Sequence, residues 1–295
     1  MSNARKLAIL VLAHKDSDHL NRLLGALEHP DIDVYVHVDA KQDDIFRKKI
    51  RANRAMILPR EESFYVNWGD VGFPFAALKL MKMASSQAEY NYYLLISGQD
   101  YPIRPMPELL DYLSSDDDYL NFVEGIRFDS RYLLYYPHWL IGKETWKRLI
   151  RGVYKCLGMG PLACLLQRRN RPFNKPYCGS SWWAFRGKVV NWILAEIDRD
   201  PRWLSFYSNS LNPDEGLFQT LYMNSPYVGQ NKEIMTYIDW SANGPSPEVL
   251  SEKDFASIVR SKKFFARKME TGLSDVLLDM VDGAVLTKNK VDSFV

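Results

Sequence analysis

Pro213-Asp214-Glu215 sets two carboxylates directly behind a proline. Proline suits the first turn of a helix, and an acid placed there gains from the aligned amide dipoles. A carboxylate held in that way can also take a proton from an attacking hydroxyl, which is general-base work. As an isolated tripeptide it reads equally as a plain helix start. Arg267-Lys268 puts two cations side by side. The planar guanidinium is the better fork for anionic oxygens, although the pair alone also reads as surface charge. His14, Asp39 and Asp100 each end or closely follow a strand-like run. Trp182, Trp183 and Trp240 offer broad apolar faces with a polar edge. Cys156, Cys164 and Cys178 form no ligand-spaced cluster, which argues for reduced thiols and against a zinc site or disulfide framework.

The elements that must carry these residues follow from hydrophobic periodicity. Residues 7–13 (LAILVLA) form a continuous aliphatic run that fits a strand buried on both faces. Capping residues open the segment 16–27, and Leu20, Leu23, Leu24 and Leu27 recur there at helical spacing. Residues 33–39 alternate as a second strand, 76–88 read as a helix and 92–96 as a third buried strand. Downstream come a short strand at 180–185, a helix near 188–197, a helix after 212–215, a short strand at 237–240 and a helix at 254–260, with 262–268 closing the domain. Strands alternating with helices give an α/β sheet of mostly parallel type. Ligands sit beyond the carboxyl ends of strands in such sheets, which puts His14, Asp39 and Asp100 on one rim.

Eight short segments in order extend this reading: 8–14, His37-Val38-Asp39, Trp68-Gly69, 95–103, 179–184, Pro213-Asp214-Glu215, Asp239-Trp240 and 264–268. Together they resemble glycosyltransferase family 14, the branching β-1,6-N-acetylglucosaminyltransferases and peptide O-xylosyltransferases, over roughly residues 7 to 270. The resemblance implies a GT-A type fold with a Rossmann-like nucleotide half, and an inverting transfer of sugar from a UDP-sugar. UDP-GlcNAc is the first expectation for donor and UDP-xylose the second. By the same resemblance Glu215 is the catalytic base, with Asp214 the rival, and Arg267 and Lys268 meet the diphosphate in place of a metal. DxD-like strings occur at 16–18, 31–33, 116–118 and 198–200, none after the middle strand, where Ser97-Gly98-Gln99-Asp100 stands instead. No metal and no other cofactor is therefore expected. Val11, His14 and Asp39 are expected at the uridine, with Trp68-Gly69 shaping the adjoining wall. For His14, a base contact and a satisfied rim histidine both remain open. Asp100 has two readings, a contact to sugar hydroxyls or a role fixing the Gly98 turn. Glu124, Arg131, Trp182, Trp183 and Trp240 are the acceptor candidates, with one of the adjacent tryptophans expected in the core because neighbours on a strand face opposite ways.

Composition bounds the alternatives. The net charge of +2 excludes a generally basic nucleic-acid binder, so charge must act locally. It does so in residues 143–175, which carry nine Lys or Arg against the single acid Glu144. Trp146, Leu149, Ile150, Val153, Tyr154 and Leu157 recur there at helical spacing beside Lys147, Arg151 and Lys155. This is a basic amphipathic helix that either lies on an anionic membrane or packs on the core with a solvated basic face. The segment departs most from the animal enzymes and suggests a lipid-linked or anionic carbohydrate acceptor. No run approaches the length of a membrane span. The expectation is one GT-A-like catalytic domain over 1–282, with a UDP-sugar half at about 1–115, an acceptor half at 116–282 and a weakly ordered tail at 283–295. The place expected for it is cytoplasmic, at most peripheral on the inner face of a membrane. The rivals are a metal-dependent transferase of the same fold, a non-catalytic nucleotide-sugar-binding module and a membrane-surface scaffold.

Overall fold

Every residue of β1 (Leu7–Ala13) is at most 6% exposed, as a central strand covered on both faces requires. The structure is a computed structural model and describes residues 6–51, 54–113, 116–124, 170–210, 212–229, 231–242, 244 and 246–286. Arg131, residues 143–169 of the basic segment and the last part of the expected tail lie outside the described residues. β2 (Ile32–Val38) and β4 (Tyr92–Ser97) flank β1 in parallel, with Ala13 level with Val38 and Leu12 level with Ser97. β3 (Met56–Ile57) continues the parallel half beside β2.

Beyond β4 the direction reverses. β7 (Tyr177–Arg186) runs antiparallel to β4, β6 (Asp118–Glu124) antiparallel to β7, and β8 (Asn231–Lys232) parallel to β6 at the edge. The order is β3-β2-β1-β4-β7-β6-β8. The α/β class and the Rossmann-like first half are as expected, but the sheet is mixed overall. Parallel neighbours need a crossover between them, a demand that antiparallel pairing of β7 with β4 and β6 does not make. A second sheet places β10 (Phe265–Arg267) between β5 (Tyr101–Pro102), antiparallel, and β9 (Thr236–Ile238), parallel. Since β5 directly follows the turn after β4, this small sheet delivers Arg267 to the end of the large one.

Strand alternation sorts β1 into two cores. Leu7, Ile9, Val11 and Ala13 face a layer containing Leu20, Leu23 and Leu24 of α1 (Ser17–Ala26) and Leu277, Leu278 and Val281 of α9 (Asp275–Val281). Ala8, Leu10 and Leu12 face α3 (Gly72–Gln87), α5 (Gly187–Arg199) and α7 (Leu217–Met223). Each buried Leu, Ile or Val contributes roughly 1.5–3 kcal/mol, so these layers, more than single hydrogen bonds, hold the strand ends in place. Four shorter helices, α2 (Asp44–Lys49), α4 (Met106–Tyr112), α6 (Arg202–Ser208) and α8 (Phe255–Arg260), complete the described set. Among them α2, α4 and α6, like β3, β5, β6, β8 and α9, have no counterpart in the sequence reading. α3 starts earlier than expected because Pro74 is accommodated in its first turn. The segment 282–286 forms a π-helical turn whose first residue, Asp282, accepts hydrogen bonds from Arg22 (2.6 Å) and Tyr101 (2.7 Å). The residue that precedes the expected tail is thereby tied to the body. Among the described residues no helix is long and apolar enough to cross a membrane.

Candidate active site

Three parallel strands that end level leave their following residues on one rim, where open α/β sheets hold ligands. A cavity of about 320 Å³ lies there. Its wall takes Leu12 and Ala13 from β1 and His14 just after it, His37 from β2 and Asp39 just after it, Ser97 from β4, Trp182 from β7 and Arg267 from β10. Residues 66–69, Phe73, Asn212, Asp214 and Glu215 close it. A larger cleft of about 400 Å³ against α1, with Arg22, Arg51 and Arg54, holds none of the candidate residues. The smaller cavity is the candidate because it gathers Glu215, His14, Asp39, Trp182 and Arg267.

Each strand end has its own supports. Asp39 is 3% exposed and its Oδ1 accepts the Lys41 amide at 2.9 Å and the Val66 amide at 3.4 Å. His37, on the same strand face as Asp39, accepts the Phe64 amide through Nε2 at 2.9 Å, which puts its ring proton on Nδ1. Burial pushes its pKa down to about 4, so His37 is neutral at physiological pH. These bonds hang the 64–69 loop from β2 and hold Trp68, 58% exposed, at the cavity wall. His14 is exposed at the rim, yet the surrounding protein is close enough that desolvation lowers its pKa. The Lys15 charge is the next cause, Lys268 and Arg267 add to it and Asp39 opposes them, so this end of the cavity carries a positive field. Val11 is fully buried between Val36 and Ile96, which corrects its assignment to the uridine contact; the wall begins at Leu12.

Arg267 is 8% exposed and sits over the Trp182 ring, 4.2 Å from its centroid. Its Nε stands 3.2 Å from Asp100 Oδ1, off the angle of a hydrogen bond, so the contact is Coulombic. Asp100 is fully buried, and its Oδ2 accepts the Ser97 amide at 3.1 Å. Burial pushes its carboxyl up to about 6 against the opposing pull of Arg267. Burial also lowers Arg267, although a guanidinium stays protonated at any physiological pH. Of the two readings for Asp100, the carboxylate stands in the turn and beside Arg267, outside the cavity wall. Gly98 permits that turn, since a Cβ there would lie 3.1 Å from Ala13 Cα. Lys268, half-buried, points its ammonium at Ser246 and does not line the cavity, though its charge is felt at His14.

Glu215 ends a 3₁₀ turn, Pro213–Glu215, and α7 begins two residues later. The turn is entered through Asn212, whose backbone is left-handed (φ 47°). Its Nδ2 donates to Glu215 Oε2 at 3.3 Å, and its amide donates to Gly69 O, also at 3.3 Å. Gly69 itself is left-handed (φ 72°), and a Cβ there would lie 2.6 Å from Asn212 Oδ1. Asp214, half-buried, accepts from Ser181 Oγ at 2.7 Å. Desolvation, reinforced by the Glu215 charge, pushes its carboxyl up to about 6.

β7 brings Trp182 to the rim because Trp183 is level with Leu95 and the strand runs the opposite way to β4. Trp182 also meets Phe73 edge-on, with centroids 5.4 Å apart. Trp183 is 1% exposed and stacks on Phe185 at 4.5 Å, so it belongs to the core and not to an acceptor site. Trp240 is 51% exposed beyond β9 and does not line the cavity. Glu124 ends β6 opposite Tyr177. Among the described residues none of the four DxD-like strings lines the cavity: Asp16 caps α1, and Asp116 and Asp118 pair with Arg186 at 2.7 and 2.5 Å. Among the described residues no group of three or more His, Cys, Asp or Glu side chains is placed to hold a metal ion. His37, Phe73, Ser97 and Asn212 were not singled out from sequence. His37 had a signal, its two-residue offset from Asp39; Asn212 had only its place before a proline.

The profile of the family described as Core-2/I-Branching enzyme matches residues 7–264. Xylosyltransferase 1 of Rattus norvegicus is 25% identical over 311 residues, covering 95% of this chain and 35% of the relative. Xylosyltransferase oxt of Drosophila melanogaster is 24% identical over 307 residues, covering 92% of this chain and 32% of the relative. The chain thus spans about a third of the length of the curated relatives it matches. Among solved structures, the galactosyltransferase LgtC in complex with donor and acceptor sugar analogues has a TM-score of 0.39 at 10% identity, covering 94% of this chain and 96% of that one.

Proposed function

The chain belongs to the Core-2/I-Branching enzyme family, and from that premise we propose that it is an inverting, metal-independent glycosyltransferase of GT-A type acting on a UDP-sugar. The observation that carries the reading is the meeting of Glu215 and Arg267 in one cavity beyond the carboxyl ends of β1, β2 and β4. An acceptor sugar hydroxyl attacks C1 of the donor from the side opposite UDP. The bond from C1 to the β-phosphate oxygen breaks, its electron pair leaves with UDP, and the hydroxyl proton passes to Glu215. Arg267, held between Asp100 and Trp182, stabilises the charge that grows on the diphosphate, with Lys15 and Lys268 adding to the positive field at that end. Asp39 and the 64–69 loop receive the nucleoside, and Trp68 supplies an aromatic face beside the sugar. Asp214 is the weaker candidate for base, because its carboxylate is committed to Ser181.

The relatives' names bring UDP-xylose to a par with UDP-GlcNAc as donor. The acceptor is a carbohydrate hydroxyl, lipid-linked or anionic if the basic segment 143–175 serves to hold it. Release of UDP from a panel of UDP-sugars, measured in EDTA, tests the reading. Wild type turns over one donor in EDTA, while Glu215→Gln loses transfer by at least a hundredfold and keeps UDP affinity. Near-normal turnover by Glu215→Gln would show that the base is elsewhere. Loss of wild-type turnover in EDTA would replace this mechanism with a metal-dependent one.

A further inference from the structure

Asn212 accepts two costs at one position. Its backbone is left-handed (φ 47°, ψ 56°), a conformation in which a side chain is tolerated best as Asn or Asp. Its Oδ1 is buried with no hydrogen-bond partner. An unpaired buried amide oxygen is unfavourable, because the water it gave up is not replaced. Turning the amide over would put Oδ1 against Glu215 Oε2, oxygen against carboxylate, so the amide can face Glu215 only through its NH2. What the side chain gains from this arrangement is the bond from Nδ2 to Glu215 Oε2. The backbone of the same residue is fixed from both sides, with its amide on Gly69 O and its carbonyl accepting the Glu215 amide at 3.1 Å. Gly69 leaves room for Oδ1 because it has no Cβ.

We infer that Asn212 is the positioning residue of the catalytic carboxylate: it orients Glu215 through Nδ2 and locks the base's turn to the Trp68-Gly69 wall of the donor cavity. This rests on the function proposed above, in which Glu215 is the base. The titratable groups around Glu215 are Asp214 beside it, Cys178 on β7, and across the cavity Asp39, His14, His37 and Arg267. None of these changes in the test variants. Asn212→Asp keeps the size and the left-handed tolerance but sets an oxygen where the NH2 was. Asn212→Gly keeps the backbone and removes the side chain.

The pKa of Glu215 is read by NMR titration of ¹³C-labelled glutamate carboxyls, assigned by the signal missing from Glu215→Gln. Asn212→Asp raises that pKa by about one unit or more, because two carboxylates then share a site. The same shift moves the acidic limb of UDP release from UDP-GlcNAc or UDP-xylose to higher pH. Asn212→Gly lowers kcat about tenfold and leaves UDP affinity within about twofold, since the base is loosened and the nucleotide wall is not. In a Glu215→Gln background neither substitution lowers turnover further. A Glu215 pKa unmoved by Asn212→Asp overturns the inference, as does a fall in UDP affinity by Asn212→Gly equal to its fall in kcat. Full turnover by Glu215→Gln would instead defeat the functional reading, which separates the two failures.

Discussion

Under the proposed function, Arg267 is a nearly buried guanidinium that must be balanced both before and after a diphosphate arrives. Within the protein Asp100 and the Trp182 ring share that task. Arg267→Gln should weaken UDP binding by roughly ten- to a hundredfold in calorimetry, the range for losing charged hydrogen bonds; unchanged affinity would place the diphosphate elsewhere. Asp100 makes a separate prediction about pH. Its folded pKa of about 6 lies above its ordinary 3.8, so the native state keeps a proton that the unfolded chain has lost. Its contribution to stability is then full below about pH 4 and is lost as pH rises through about 6, by on the order of 3 kcal/mol at most. Urea unfolding of wild type and Asp100→Asn at several pH values isolates this term, because Asp214 and the other carboxylates are common to both. The wild-type advantage over the variant should shrink from pH 4 to 7; a constant difference would mean that Asp100 titrates normally.

At the scale of elements, β7 shows what alternation decides. Adjacent tryptophans on one strand go to opposite faces, so Trp183 fills a core and Trp182 faces the cavity. Trp183→Ala should destabilise the protein by about 3–5 kcal/mol without changing the UDP affinity of the folded molecules. Trp182→Ala should be much less destabilising yet weaken UDP binding severalfold through Arg267. Thermal melts paired with UDP titrations check both, and the reverse pattern would exchange their roles. The rule that one tryptophan must be buried was legible in sequence, but which one was not, because that depends on the register of Trp183 with Leu95 across an antiparallel junction. The same limit explains β6, whose partner β7 lies far along the chain, and Asn212, whose left-handed turn answers to Gly69 from a distant loop. Strands β1 and β4 were legible because their continuous apolar runs declare burial on both faces, and β2 was legible because residues 33–39 alternate. His14, Asp39 and Arg267 reached the cavity as expected; Val11 and Trp183 did not, since each is sealed in a core.

For the whole molecule, a net charge of +2 hides an uneven distribution, with the basic segment 143–175 as its extreme. If that segment holds the protein to an anionic surface, the chain should float with vesicles containing phosphatidylglycerol at low salt and detach as salt screens the contact. Absence of binding at low salt would leave the segment a solvated face. The small sheet β5-β10-β9 has a consequence for how the site is assembled. Glu215 and the strand ends that line the cavity precede β10 in the order of synthesis. Until β10 docks beside β5, Asp100 lacks its counter-charge and the cavity lacks Arg267. Under the proposed function, a ribosome-bound chain that has not yet released β10 lacks the guanidinium that faces a departing diphosphate, although Lys15 is already in place along the chain. On that reading Arg267 joins a cavity whose other walls have already been synthesised, while α9, which follows β10, has still to close the core.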